Sequence, residues 1–318
     1  MATETELKLR ITPDAAAALV RHPALKSLKR ARSRAAHLTS TYYDTADGAL
    51  AAAGVALRLR RDGRHWVQTI KGANISTAGG LSARPEFEWP VSGPRLDPLR
   101  FATTPFRRAL GKAEQRGLAP RFTTDITRTT IPLTFPDSTM AKLCIDVGEV
   151  RTEDGDPVLR MPMHEIELEL EAGDARRLYE LAQTLASDVA LSLEPATKAE
   201  RGYALRQPRE PEPVRADDAD LPGKCSAGIA FASIMRSCLA QIEAMRKASS
   251  PRTIRNGSTR CASACAVCAR VFRWRAAALP RSASSRFASS CAGSRKRWGR
   301  RATSTYSSRR QCPRSAMP

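Results

Sequence analysis

Six short stretches of this chain carry charged side chains at every second position. In TETELKLR, Glu4, Glu6, Lys8 and Arg10 alternate with Leu7 and Leu9. VALRLR sets Arg58 and Arg60 against Leu57 and Leu59, and WVQTIKG sets Thr69 and Lys71 against Ile70. RPEFEWP opposes Glu86 and Glu88 to Phe87 and Trp89. AKLCIDVGE opposes Lys142 and Asp146 to Leu143, Ile145 and Val147, and HEIELELEAG opposes Glu165, Glu167 and Glu169 to Ile166, Leu168 and Leu170. Rows of carboxylates suit a hard divalent cation, Mg²⁺ or Mn²⁺, bound through oxygen. Rows of Arg and Lys suit phosphate oxygens, which Arg grips in bidentate fashion. Together they point to chemistry on a metal-bound polyanion.

A period of two is the strand period, so each stretch presents one charged and one apolar face. One such strand alone reads as a surface strand with a solvated face. Six of them, with acid-rich and base-rich rows on different strands, predict a closed sheet whose lumen is charged and whose apolar outer face is covered by helices. The fold class is therefore α+β. Three helices are expected around it: one from TPDAAAALV with Thr12 as N-cap, one from TPFRRALGK, and one opened by Asp174 with Leu178, Leu181, Ala182 and Leu185 on one face. Buried charges on this scale are untenable unless they pair with each other or with a ligand. Four scattered histidines form no metal-binding or triad spacing and read as structural or surface residues.

The ordered set ETELK, YYDT, LRLR, TIKG, EFE, CIDVGE, EIELELEAG and TKAERGY resembles the CYTH, or triphosphate tunnel metalloenzyme, superfamily over about residues 3–206. The resemblance implies an eight-stranded tunnel that binds a triphosphate with Mg²⁺ or Mn²⁺. Carried onto this chain, it implies Glu4, Glu6, Glu165, Glu167 and Glu169 as metal ligands. Lys8, Arg58, Arg60, Lys71, Arg128 and Lys198 would grip phosphates, Arg128 on a loose match around TTDITRTT. Asp146 and the Glu86/Glu88 pair would help hold metal or position water for in-line attack, with Lys8 counted beside them as a catalytic residue through its grip on phosphate. Glu200, Arg201 and Tyr203 fit packing at the domain's end equally well. Inorganic triphosphate, cleaved to phosphate and pyrophosphate, is the first expected substrate. Thiamine triphosphatase activity, class IV adenylate cyclase activity and a non-catalytic polyphosphate-binding module remain alternatives.

The net charge of +20 is unevenly spread. From Met245 onward there are 18 Lys and Arg and no acid, while residues 1–244 hold 34 bases and 32 acids. The barrel segment is thus near neutral, and neither a specific nucleic-acid partner nor a membrane is expected of it. MATETELKLR lacks an apolar leader, so the expected location is the cytoplasm. Residues 207–220, QPREPEPVRADDAD, have linker composition. Residues 221–244 carry helical spacing and resemble the opening of a CHAD domain, a helical module associated with polyphosphate.

Beyond Ala244, CASACAVCAR places Cys261, Cys265 and Cys268 at C-x3-C-x2-C spacing, as in iron–sulfur sites of radical enzymes. Too little chain follows to build the barrel such a cluster needs. Codon degeneracy offers another reading. One nucleotide earlier, Thr253 to Ala269 permits DDPEWIHPMRVGLRRLR and Ser290 to Thr305 permits LRWLAEALGPARDFDV, both resembling CHAD signatures. The expectation is a frameshift near Ala244–Met245, with residues 245–318 an out-of-frame, disordered basic tail. The nucleotide sequence decides it.

Overall fold

The computed structural model describes residues 2–73, 81–153, 157–194, 196–206, 221 and 223–247. The chain divides into two compact units, one built on Met1–Glu212 and one that includes Pro213–Met245. The linker at 207–220 and the cysteine motif of the basic tail lie outside the described residues.

The first unit is a closed barrel of eight antiparallel strands. These are β1 (Ala2–Arg10), β2 (Arg34–Asp44), β3 (Ala56–Asp62), β4 (His65–Lys71), β5 (Leu81–Val91), β6 (Ala119–Thr134), β7 (Met140–Thr152) and β8 (Arg160–Ala172). They run in the order β5-β4-β3-β2-β6-β7-β8-β1, and β1 pairs with β5 to close the ring. A two-residue β9 (Ser192–Leu193) adds to the end of β1. Closure satisfies both edges of the sheet. The β3–β4 hairpin turns on Gly63 at φ 60, a left-handed conformation that glycine takes without strain.

Register sets the lumen. Glu6 stands opposite Glu169 on one side and Ser82 on the other, and Lys8 stands opposite Glu167. Leu7 faces Leu168 and Leu81 on the other surface. A slip of one residue in any pair would exchange these faces. The apolar surface points outward, beneath the helices. Leu7, Leu9, Ile166 and Leu168 pack with Leu19 of α1 (Ala15–Val20), Leu25 of α2 (Pro23–Leu28) and Leu178, Leu181 and Leu185 of α5 (Arg176–Asp188). Leu57 and Ile70 pack with Leu50 of α3 (Ala49–Ala52) and Leu110 of α4 (Arg107–Gln115).

Helix starts sit slightly later than the sequence suggests. Pro13 lies in a turn in which Ala15 N donates to Thr12 O at 3.1 Å, so α1 begins at Ala15. Thr104 accepts from Phe106 N at 3.2 Å just ahead of α4, and Asp174 accepts from Arg176 N at 2.9 Å at the start of α5. His22 is structural: Nδ1 caps α2 by accepting from Ala24 N, and Nε2 meets Asp188 at 3.0 Å.

In the second unit, α7 spans Ala227–Lys247. The helix expected from residue 221 starts at Ala227 because Ser226 takes the capping position, its Oγ accepting from Ile229 N. Among the described residues no helix is long and apolar enough to cross a membrane.

Candidate active site in the barrel lumen

The lumen holds a cavity of about 370 Å³ lined mostly by charged side chains, with Leu38, Tyr42, Thr130, Cys144, Thr197 and small alanines between them. On the wall formed by β1, β5, β4 and β3, acids and bases interleave. Lys71 Nζ donates to Glu4 at 2.7 and 2.9 Å and lies 2.9 Å from Glu86. Arg58 spans Glu86 and Glu88 at 3.6 and 3.5 Å, and Arg60 reaches Glu88 at 3.3 Å. Arg84 bridges Glu4 and Glu6 at 3.0 and 2.9 Å, and Lys8 lies 3.3 Å from Glu6.

On the opposite wall, Arg128 of β6 grips Asp146 with two bonds of 2.7 Å and reaches Glu167 at 2.5 Å and Glu169 at 3.4 Å. Lys142 lies 3.3 Å from Glu169. Beside this wall, α6 (Lys198–Arg206) packs against β6 and β7, and its start lines the cavity. Its first residue, Lys198, lines the cavity and bonds Asp146, Glu165 and Glu167. Thr197 and Glu200 cap α6 reciprocally: Glu200 accepts from Thr197 N and donates its own N–H to Thr197 Oγ1. Tyr203 packs edge-on against Phe122, which stacks on Tyr42, and its hydroxyl donates to Asp44 at 2.8 Å. This is the packing role expected for Tyr203.

Burial and pairing split the carboxylates into two kinds. Burial disfavours the charge on Glu4, but Lys71 and Arg84 outweigh it and hold Glu4 well below the usual range. Glu88 is lowered in the same way by Arg60 and Arg58, and Glu167 by Lys198 and Arg128. Burial wins at Glu6, reinforced by the Glu167 charge, and at Glu86, so both are raised. Adjacent acids on β5, Glu86 and Glu88, are thereby tuned apart.

Two sets of three carboxylates bring oxygens within 4.8 Å of one another: Glu4, Glu6 and Glu169, and Asp146, Glu165 and Glu167. Both offer the all-oxygen donor set of a hard cation. They differ in access. Glu4 and Glu169 of the first set and Glu167 of the second line the cavity, whereas Glu6, Asp146 and Glu165 do not and are buried. The residues of either set fit a divalent ion, and the first set places two of its three carboxylates on the cavity, the second set one.

The structure brings most sequence candidates to the wall of this cavity and sets Glu6, Asp146 and Glu165 behind it, paired with the lining residues Arg84, Arg128 and Lys198. It also adds residues that the sequence reading left out of the site. Arg84 belongs to the same period-two row as Glu86 and Glu88, and following that row back past Pro85 finds it. Lys142 and Cys144 continue the Asp146 row on β7 and line the cavity; burial pushes the Cys144 thiol up to about 12. Arg201 gave no pattern signal, because it lies on a helix, yet it bonds buried Glu165.

Residues 2–203 match the family model described as CYTH domain. The chain belongs to the CYTH domain family. A curated relative, an inorganic triphosphatase from Haemophilus influenzae, is 31% identical over 208 residues, which is 64% of this chain and 55% of the relative. The chain thus spans about half the length of that protein. Among solved structures, the CYTH domain is similar to a Hippeastrum protein named as an adenylyl cyclase and described as having a dominant triphosphatase activity. The identity is 19% and the TM-score 0.45, covering 65% of this chain and 96% of that one. An RNA triphosphatase from S. pombe aligns at 14% identity and TM-score 0.30, covering 59% and 78%.

Proposed function

We propose that this CYTH domain hydrolyses inorganic triphosphate to phosphate and pyrophosphate, with Mg²⁺ or Mn²⁺, inside the barrel. The observation that carries this reading is the lumen wall itself: five basic side chains, Lys8, Arg58, Arg60, Lys71 and Arg84, interleave with carboxylates around one cavity. A pure polyanion binder gains nothing from the acids. The kinship with an inorganic triphosphatase supports the same reading.

Lys8, Arg58, Arg60, Lys71, Arg128 and Lys198, which all line the cavity, bind phosphate oxygens and offset charge on the leaving group, with Arg84 and Lys142 as further cations. A divalent ion held by Glu4, Glu6 and Glu169, with Glu167 beside them, would neutralise phosphate charge and acidify a bound water. Glu86, its proton affinity raised by burial, is the carboxylate suited to take a proton from the attacking water. Glu88 stays ionised, accepts from Thr69 at 2.9 Å and holds Arg58 and Arg60 in place. Inorganic triphosphate is favoured over a nucleotide or thiamine ester because Tyr42, itself buried, is the one aromatic among the described lining residues. A base or thiazole ring finds no stacking surface there.

Phosphate release from tripolyphosphate, ATP and thiamine triphosphate tests this. Tripolyphosphate should be turned over fastest, and excess EDTA should abolish release from all three. No release from any substrate with Mg²⁺ or Mn²⁺ added rejects the enzymatic reading. Residues 221–244 are read as the opening of a CHAD module, a reading supported by the apolar helical spacing of α7 up to Ala244, although α7 itself runs on to Lys247.

A further inference from the structure

The two ends of the cavity differ in their exposure to water. Beside α6 the lining residue Lys198 is 8% exposed, whereas Arg34 and Lys142, which line the opposite end, are 71% and 37% exposed. At this open end β2 and β7 start and β6 and β8 finish.

The chain leading into β2 runs along that rim. Residues 29–34, KRARSR, hold four bases and no acid. Lys29 bridges to Leu133 and Arg30 N donates to Pro132 O at 3.1 Å, so the backbone follows the last residues of β6. Arg30 reaches Glu171 near the end of β8, which Lys142 also meets at 3.8 Å. Arg34 pairs with Asp62 at 2.7 Å, and both line the cavity. Lys29 and Arg32 are exposed and have no ion-pair partner among the described residues.

Inside the lumen, by contrast, Lys8, Arg60, Lys71, Arg84, Arg128 and Lys198 each stand on a carboxylate. Positive charge left over therefore collects on the rim. Five bases there, Lys29, Arg30, Arg32, Arg34 and Lys142, pair with three acids, Asp62, Glu169 and Glu171. A ligand confined to the lumen makes no use of the free bases outside it; a polyanion that continues outward does. Residues 21–40 contain no Phe, Tyr or Trp, so the strip offers a nucleic-acid base no ring to stack on. An unbranched chain of phosphates needs only the charges.

We propose that residues 29–34 form a docking strip for linear inorganic polyphosphate longer than triphosphate. Its terminal phosphates occupy the lumen, and the rest of the chain leaves past Arg34 and lies along Arg32 and Lys29. This inference rests on the reading above that phosphates bind in the lumen.

Isothermal titration calorimetry of the full chain tests it, in EDTA so that nothing is cleaved. The probes are tripolyphosphate and a linear polyphosphate several times longer. Lys29→Gln/Arg32→Gln should weaken binding of the longer chain about fivefold, the worth of two exposed charge pairs, and that of tripolyphosphate less than about twofold. Both side chains are exposed and unpaired, so the fold loses no contact, and both proteins carry the same basic tail, so its contribution cancels. Equal weakening of both probes, or of neither, overturns the strip. An oligoribonucleotide that binds the wild type more tightly than polyphosphate of equal charge overturns the choice of ligand. If tripolyphosphate does not bind the wild type, the lumen reading falls and the strip with it. Binding as expected, with no phosphate released once Mg²⁺ or Mn²⁺ is added, rejects the triphosphatase activity and leaves the strip intact.

Discussion

Replacing Glu4 with glutamine is expected to lower kcat/KM for tripolyphosphate by about a thousandfold, or ~4 kcal/mol of transition-state stabilisation. Glu4 is where the two halves of the site meet. It belongs to the carboxylate triad that opens on the cavity, and it holds Lys71 and Arg84 in place. Glutamine keeps the shape and one acceptor but removes the charge that would hold the ion. The fold has little reason to suffer, because the surrounding bases keep Glu86 and Glu6 as partners. Steady-state kinetics beside a thermal melt check this. A loss in activity with an unchanged Tm is the expected pair of results. Activity within threefold of wild type would remove Glu4 from the site.

Gly202→Ala should be the reverse case, an apparently mild change that strikes the fold first. A Cβ at Gly202 would overlap the ring of Phe122. That ring is fully buried, stacked on Tyr42 at 4.6 Å and met edge-on by Tyr203 at 5.0 Å, so it has nowhere to go. Either α6 lifts or the aromatic stack deforms. Overpacking of this kind costs about 3 kcal/mol, which for a domain of this size lowers Tm by about 6–12 °C. Because α6 carries Lys198, activity should fall with it. Differential scanning calorimetry and the phosphate assay on one preparation read both effects. An unchanged Tm would show that α6 does not sit against the barrel as tightly as the packing implies.

The sequence made the barrel legible where alternation was clean. β1, β3, β4, β5, β7 and β8 each set charge against Leu, Ile, Val or an aromatic, and that contrast survives in the structure as lumen against outer core. β2 and β6 hide their period. TTDITRTT places hydroxyls on both faces, and Tyr42 sits on a cavity-lining row yet belongs to an aromatic stack under α6. Arg128 was therefore found on a loose match rather than on pattern. Lys198 and Arg201 reach the lumen from a helix, where strand alternation carries no information. The pairing of each acid with each base was not legible at all. Whether Glu165 meets Lys198 or a metal depends on register across β1, β7 and β8 and on where α6 lands, and no local stretch encodes that. The helix limits shifted for a simpler reason, since Ser226 and the turn after Thr12 place the caps within the segments rather than at their edges.

The central claim is that triphosphate and metal meet inside the barrel. A crystal of this chain grown with Mn²⁺ and imidotriphosphate, measured at a wavelength where manganese scatters anomalously, tests it most directly. The expected result is anomalous density for manganese against Glu4 and Glu169, with the phosphate chain in contact with Lys8, Arg58 and Lys71. Manganese and phosphates found outside the lumen, with the Lys71–Glu4 and Arg84–Glu6 pairs intact, would contradict the account.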